Sequence, residues 1–237
     1  GQSFTGGGSL AIGGEQDDVD GGYVSGQAFD GDIAEVIMFD AYINDAQRTI
    51  IENYLNVKYG ISISNDVFAS GDPSYSYDLT GIGQELDGNH TSSVSGTTGF
   101  YIESTGSLDN GDYIIFAHNN SANSVSTSDI TGGVQERWAK DWYIEQTGSQ
   151  NAQIIFDLPE GIAGGQYPQN ISNYVLLYRN GTSGNYSVAT TSSVDYADAD
   201  QVSFSILGAN LADGYYTLGT LDQTNSPVLG QAGTTWY

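Results

Sequence analysis

What this chain lacks bounds its chemistry first. Its 237 residues contain no cysteine, so there is no disulfide, no thiolate metal ligand and no thiol nucleophile. That absence fits either redox compartment and diagnoses neither. Two histidines, His90 and His118, stand without a partnered serine motif, so no nucleophilic triad is suggested. Basic residues are scarce: 5 Lys and Arg face 29 Asp and Glu, for a formal net charge of −24. Nucleic acids and anionic membranes are bound through Lys and Arg, so neither is an expected partner. No apolar run reaches the length of a membrane span, no signal-peptide pattern is visible, and no internal repeat stands out. At 38% hydrophobic and 12% aromatic, the chain still has enough apolar surface for a core. Its length suits one or two domains.

What is present is organised around Gly13–Gly60, which holds an acidic glycine-rich loop, an apolar strand and one convincing helix. In the loop, Glu15, Gln16, Asp17, Asp18 and Asp20 are bracketed by Gly13, Gly14, Gly21 and Gly22. Calcium takes six to eight oxygen ligands, and glycine lets side chains and carbonyls converge on it. The same composition also describes a solvated acidic loop. Leu10 and Ile12 are expected in the strand entering it. Asp32–Asp40 reads DIAEVIMFD, apolar on both faces apart from Glu35, as in a strand inside a sandwich. Asn44 then reads as a helix N-cap with Gln47 as its capping-box partner. Ile50, Tyr54, Val57 and Ile61 make an apolar stripe, widened by Ile51 and Leu55. Arg48 and Glu52 form an i,i+4 pair, and Gly60 is placed to end the helix.

These residues resemble the C-terminal part of the pentraxin and laminin-G-like group, a branch of the concanavalin A-like lectins. The group's pattern is a G-x-EQD loop, a later Gln, and a strand of the form F-x-G-[DE]-I-x-x-[VL]-x-M-[WF]-D. Here Glu15, Gln16 and Asp17 are followed by Gln27, then by Phe29, Gly31, Asp32, Ile33, Met38, Phe39 and Asp40. The resemblance implies calcium bound by Glu15, the carbonyl of Gln16, Asp17 and Gln27. It also implies further ligands and strands upstream, so the upstream part of the same polypeptide is expected to complete this domain. The helix is expected to close that jelly roll and pass rigidly into the next domain.

From Ile61 the texture changes to short apolar runs between Gly, Ser, Thr and Asn turn signals. Expected strands are Phe100–Ser104, Tyr113–His118, Trp142–Gln146, Gln153–Leu158, Tyr174–Arg179, Tyr186–Ala189, Val202–Ile206 and Tyr215–Thr220. Together they read as a β-sandwich. The expected fold class is therefore all-β: the C-terminal strands of a lectin-like jelly roll with one helix, then a β-sandwich. The expected domains are 1–60, 61–221, and a linker at 222–237. The segments GIGQELD, LDNGDYIIFAHNN, RWAKDWYIEQTG, YVLLYRN and YYTLGT resemble sandwich modules in large secreted surface proteins of the Bacteroidota. That resemblance implies type IX secretion and a place on the bacterial cell surface.

Other constellations have plainer readings. Glu15-x-Asp17-x-x-Asp20 approaches the paired-carboxylate signature of laminarinase-type glycosidases, but ends in Asp and sits in a loop, so catalysis is not expected. Asp195, Asp198 and Asp200 offer a second cation site or a solvated acidic turn. Asp109 and Asp112 around Asn110-Gly111 suggest a hairpin turn. His118 reads as a hydrogen-bonded residue at a strand end, and Trp138 and Trp142 as core. Lys58 and Lys140, the only lysines, raise an intramolecular amide cross-link without locating its partner. The combined expectation is a non-catalytic segment of a secreted adhesin, with calcium as cofactor and a polysaccharide or cell-surface glycan as partner. The alternative is an accessory carbohydrate-binding region of an extracellular polysaccharide-degrading enzyme.

Overall fold

The computed structural model describes residues 12–16, 23–69, 73–96, 98–158, 170–198 and 201–228. Contacts divide the chain into two units, Gly1–Ile43 and Asn44–Tyr237. Its regular structure is antiparallel β with one long helix, so the class is all-β, as expected.

In the first unit β1 (Gly14–Gln16) pairs with β2 (Tyr23–Ala28), with Gly14 opposite Ala28 and Gln16 opposite Tyr23. Glu15 and Gln16 thus lie in a strand rather than a loop. Ile12 precedes β1 and is exposed, and Leu10 lies outside the described residues. The expected strand at 32–40 is not formed. Ile33 is 48%, Met38 70% and Phe39 49% exposed. Apolar alternation marks a segment fit to be a strand, but a strand exists only where a neighbour completes the ladder. No described strand of this unit pairs with it.

The second unit opens with α1 (Asp45–Tyr59). Asn44 caps it as expected: its side chain accepts from the Gln47 N–H at 2.8 Å, and the Gln47 side chain accepts from the Asn44 N–H at 3.1 Å. Gly60 ends it at φ 66°, a left-handed conformation that costs glycine nothing sterically. Ala46 and Ile50 are buried, with Tyr54 and Val57 half-buried, against Phe68, Leu79, Tyr113, Ile115 and Ala117. Ile61 is exposed and leaves the stripe. The sequence reading assigned this helix to the N-terminal domain, with a boundary after Gly60. Its packing partners are strands of the sandwich, and the compact unit begins at Asn44.

Nine strands form the first sheet of the sandwich. They are β3 (Tyr77–Glu85), β4 (Gly88–His90), β7 (Tyr113–His118), β8 (Val125–Ser126), β9 (Glu136–Trp138), β10 (Trp142–Thr147), β12 (Tyr174–Arg179), β13 (Ser187–Val188) and β16 (Gly214–Thr220). The main path runs β13-β12-β16-β10-β7-β3-β4, with β9 beside β16 and β8 beside β9. The second sheet has five strands: β5 (Ser92–Val94), β6 (Phe100–Ser104), β11 (Ala152–Asp157), β14 (Ser193–Asp198) and β15 (Gln201–Ile206), in the order β14-β15-β11-β6-β5. Alternate residues of both sheets meet in one core: Ile82, Phe116, Trp142, Ile144 and Leu218 from one, Phe100, Ile102, Ile154, Phe156 and Phe204 from the other. Phe100 stacks on Trp142 at 4.3 Å, and Trp138 meets Trp142 edge-on at 5.1 Å. Both tryptophans are core, as expected.

The helix covers the opposite face of the first sheet around β7, which explains why all six residues of that strand are buried. The Asp109–Asp112 turn is not a hairpin, because it links β6 of one sheet to β7 of the other. Residues 222–228, read as the start of a linker, are folded onto the sandwich. Asp222 caps a turn, the Tyr174 hydroxyl donates to the Pro227 carbonyl at 3.0 Å, and Val228 is buried.

Asn44 also donates from Nδ2 to the Asn89 carbonyl at 2.9 Å, so one side chain caps the helix and ties it to β4. We expect Asn44→Ala to lower the unfolding free energy by about 1–2 kcal/mol in urea titration, and Asn44→Asp, which keeps the cap alone, to lose less.

Candidate functional site

The residues expected to hold calcium lie on the first unit. Glu15 and Gln16 are on β1 and Gln27 is on the adjacent β2, one position from the Gly14–Ala28 pair. Asp17 and the side chains of Glu15, Gln16 and Gln27 lie outside the described residues. So do Asp18, Asp20 and Asp200. Asp195 and Asp198, read as a second cation site or a solvated acidic turn, sit on β14, the edge strand of the five-stranded sheet among the described residues. Among the described residues no cluster of three metal-ligating side chains occurs.

Two polar assemblies in the sandwich were not foreseen. The first surrounds Asp141, just before β10 and 1% exposed. Its Oδ1 accepts from the Tyr75 hydroxyl at 2.6 Å and from Asn119 Nδ2. Its Oδ2 accepts from the Tyr186 hydroxyl and from Arg179 Nη2 at 3.0 Å. The Arg179 guanidinium lies 4.4 Å from the Tyr186 ring centre and 5.5 Å from that of Tyr215, and that of Arg137 lies 4.8 Å from the Tyr186 ring centre. A carboxylate out of water is tolerable only when paired and fully hydrogen-bonded, and here four donors meet it. Burial, then the Asp141 charge, pushes the Tyr75 and Tyr186 hydroxyls well above the usual tyrosine range. Such phenols are locked donors, with no role as proton carriers near neutrality.

The second assembly lies where β3, β7 and β10 run alongside one another, with Tyr77 opposite His118 and His118 opposite Trp142. His118 is buried at its strand end, as expected, and its Nε2 lies 3.0 Å from Asp78 Oδ2. Its ring stacks on Tyr77 at 5.9 Å and meets Trp142 edge-on at 6.2 Å. Asp78 has φ 50°, a left-handed conformation uncommon outside glycine and asparagine, at an irregularity in the β3 ladder. From the other sheet, the Ser95 hydroxyl donates to the Asp78 carbonyl at 3.2 Å. Gly96 comes so near that a Cβ there would stand 2.5 Å from Asp78 Oδ2. Lys140 is buried close by. Desolvation pulls its ammonium below the usual lysine range, and the Asp78 charge opposes that.

The five basic residues have a common fate. Arg137, Lys140 and Arg179 are buried or nearly so, Arg137 lying 3.6 Å from Asp129. Arg48 bridges Asp45 at 3.0 Å and Glu52 at 2.8 Å, while Lys58 donates to the Tyr54 hydroxyl. The sandwich thus turns a nearly unrelieved anionic surface to solvent.

The fold is thus all-β, two antiparallel sheets with one helix. The chain belongs to the family described as Domain of unknown function (DUF8202), whose model matches residues 47–215, well over half of the sequence. That match runs from inside α1 into β16 and so takes in the helix with the sandwich. No curated protein matches the chain, and neither does any solved structure.

Removing one member of the Asp141 assembly strands its partners. We expect Asp141→Ala to destabilise the fold by about 3–5 kcal/mol, with the Arg179 charge left unpaired, as measured by urea unfolding. The tyrosines set the alkaline limit. A phenol whose folded pKa is raised favours the fold while neutral. Its contribution is therefore intact below the unfolded value of 10.0 and is lost as pH rises beyond it. Lys140, shifted down, acts in the opposite sense. Tyr75, Tyr113, Tyr174, Tyr178, Tyr186 and Tyr216 are all shifted up and outweigh it. Unfolding free energy should fall above about pH 10, and less steeply in Tyr186→Phe.

Proposed function

We propose that this chain is a non-catalytic segment of a large secreted adhesin on a bacterial cell surface, with a calcium-dependent lectin-like unit leading into a β-sandwich spacer. The observation that carries this reading is the disposal of positive charge. With Arg137 and Lys140 buried, Arg179 nearly so and the other two basic side chains paired on α1, little positive charge offsets the net −24 at the surface. Such a surface repels nucleic acid, anionic lipid and other copies of itself, and suits a salty, calcium-rich exterior. The strongly perturbed groups are tied into structural hydrogen bonds, which favours a load-bearing module over an enzyme. In this reading calcium is held by Glu15, the Gln16 carbonyl, Asp17 and Gln27, and upstream chain of the same polypeptide covers the exposed Ile33, Ile37 and Phe39.

A specific observation favours a second reading, an accessory carbohydrate-binding region of an extracellular polysaccharide-degrading enzyme. Tyr77 exposes its ring beside a fixed carboxylate.

Thermal unfolding in matched ionic strength tests the first reading. Sodium chloride between about 0.01 and 1 M should raise the melting temperature by screening like charges. Millimolar calcium chloride should raise it further in the wild type and not in Asp17→Ala. A melting temperature indifferent to calcium at constant ionic strength would overturn the calcium assignment. Indifference to both salts would overturn the charge argument.

A further inference from the structure

The geometry points to a sugar-binding subsite at Tyr77 and Asp78 that takes one pyranose ring of a neutral polysaccharide. This rests on the carbohydrate-binding reading and gives it a place in the fold. Sugar subsites pair a flat apolar platform with a few fixed polar groups, because a pyranose has an apolar face of C–H bonds and a rim of hydroxyls. Among the described residues of the sandwich unit, Tyr59, Tyr77 and Tyr196 are the large exposed aromatics. Tyr59 has the Lys58 ammonium 5.3 Å from its ring centre. Tyr196 lies on the edge strand next to Asp195. Tyr77 differs from both. One of its faces is backed by His118, which is itself wedged against Trp142, and Trp142 stacks on Phe100. This series of rings runs from the core to the surface and backs one face of Tyr77.

Asp78 supplies the polar group. Its Oδ2 is engaged by His118 Nε2 at 3.0 Å, and its side chain is 49% exposed. Among the described residues none donates to Oδ1, which is free to accept a hydroxyl in a charge-assisted bond. The carboxylate is placed by a backbone at φ 50° and hemmed by Gly96.

The test uses the full 237-residue chain and calorimetric titration with cellohexaose, maltohexaose and N-acetylchitohexaose. At least one should bind. Tyr77→Ala and Asp78→Asn should each weaken that binding by about tenfold or more, while Tyr196→Ala leaves it unchanged. Asp78→Asn guards against misfolding: asparagine tolerates positive φ and still accepts from His118, so its thermal unfolding should match the wild type. Failure of the wild type to bind any of the three overturns the subsite. Binding that survives both Tyr77→Ala and Asp78→Asn overturns it too, yet leaves carbohydrate recognition standing at another place. The calcium response of the first unit is read separately, so its loss or retention bears only on the adhesin reading.

Discussion

The second unit depends on a buried negative charge. Asp141 sits out of water in a protein with 29 acidic side chains and only 5 basic ones, and Arg179 is committed to it. Around that pair the fold gathers Tyr75 from the segment before β3, Asn119 from the end of β7 and Tyr186 from the loop before β13. Four distant pieces of chain are pinned at one carboxylate. Tyr143 and Tyr215 extend the same layer, with ring centres 5.0 Å apart. Whether the pair adds net stability is secondary to what it specifies, because its four donors come from separate segments that must all converge on one carboxylate.

The helix is the counterpart on the same sheet. An antiparallel sheet can leave one face to water, but β7 is apolar on both faces and needs cover on both. The core between the sheets supplies one cover. Ala46 and Ile50 of α1, with Phe68, supply the other. Gly81 and Gly83 make room, since a Cβ at Gly83 would stand 2.3 Å from the Tyr113 ring and one at Gly81 would strike Ile115. The family match beginning within α1 is consistent with this: helix and sandwich form one folded object.

Strands with strong apolar signals were legible in the sequence. Phe100–Ser104, Tyr113–His118 and Tyr174–Arg179 occur with the expected bounds, and the capping box at Asn44 and Gln47 is present. β3 was missed because Gly81 and Gly83 read as turn residues, although they serve close packing. β14 was missed because VDYADAD looks like a loop when its strand partner is unknown. The converse error fell on 32–40, where a strand-like pattern has no partner among the described strands. Neither polar assembly could be read locally. Asp141 lies 66 residues from Tyr75 and 45 from Tyr186, and Asp78 lies 40 from His118. Only the position of His118 at a strand end hinted at one of them.

The outermost strand of the five-stranded sheet has a bearing on life in a crowd. Among the described residues no strand pairs with the far side of β14, and an edge of this kind is the usual seed for sheet-to-sheet growth between molecules. Asp195 and Asp198 stand along that rim, so two copies meeting edge to edge would set carboxylate against carboxylate. Packed densely on a shared support, such molecules would stand apart like bristles rather than fuse into fibrils.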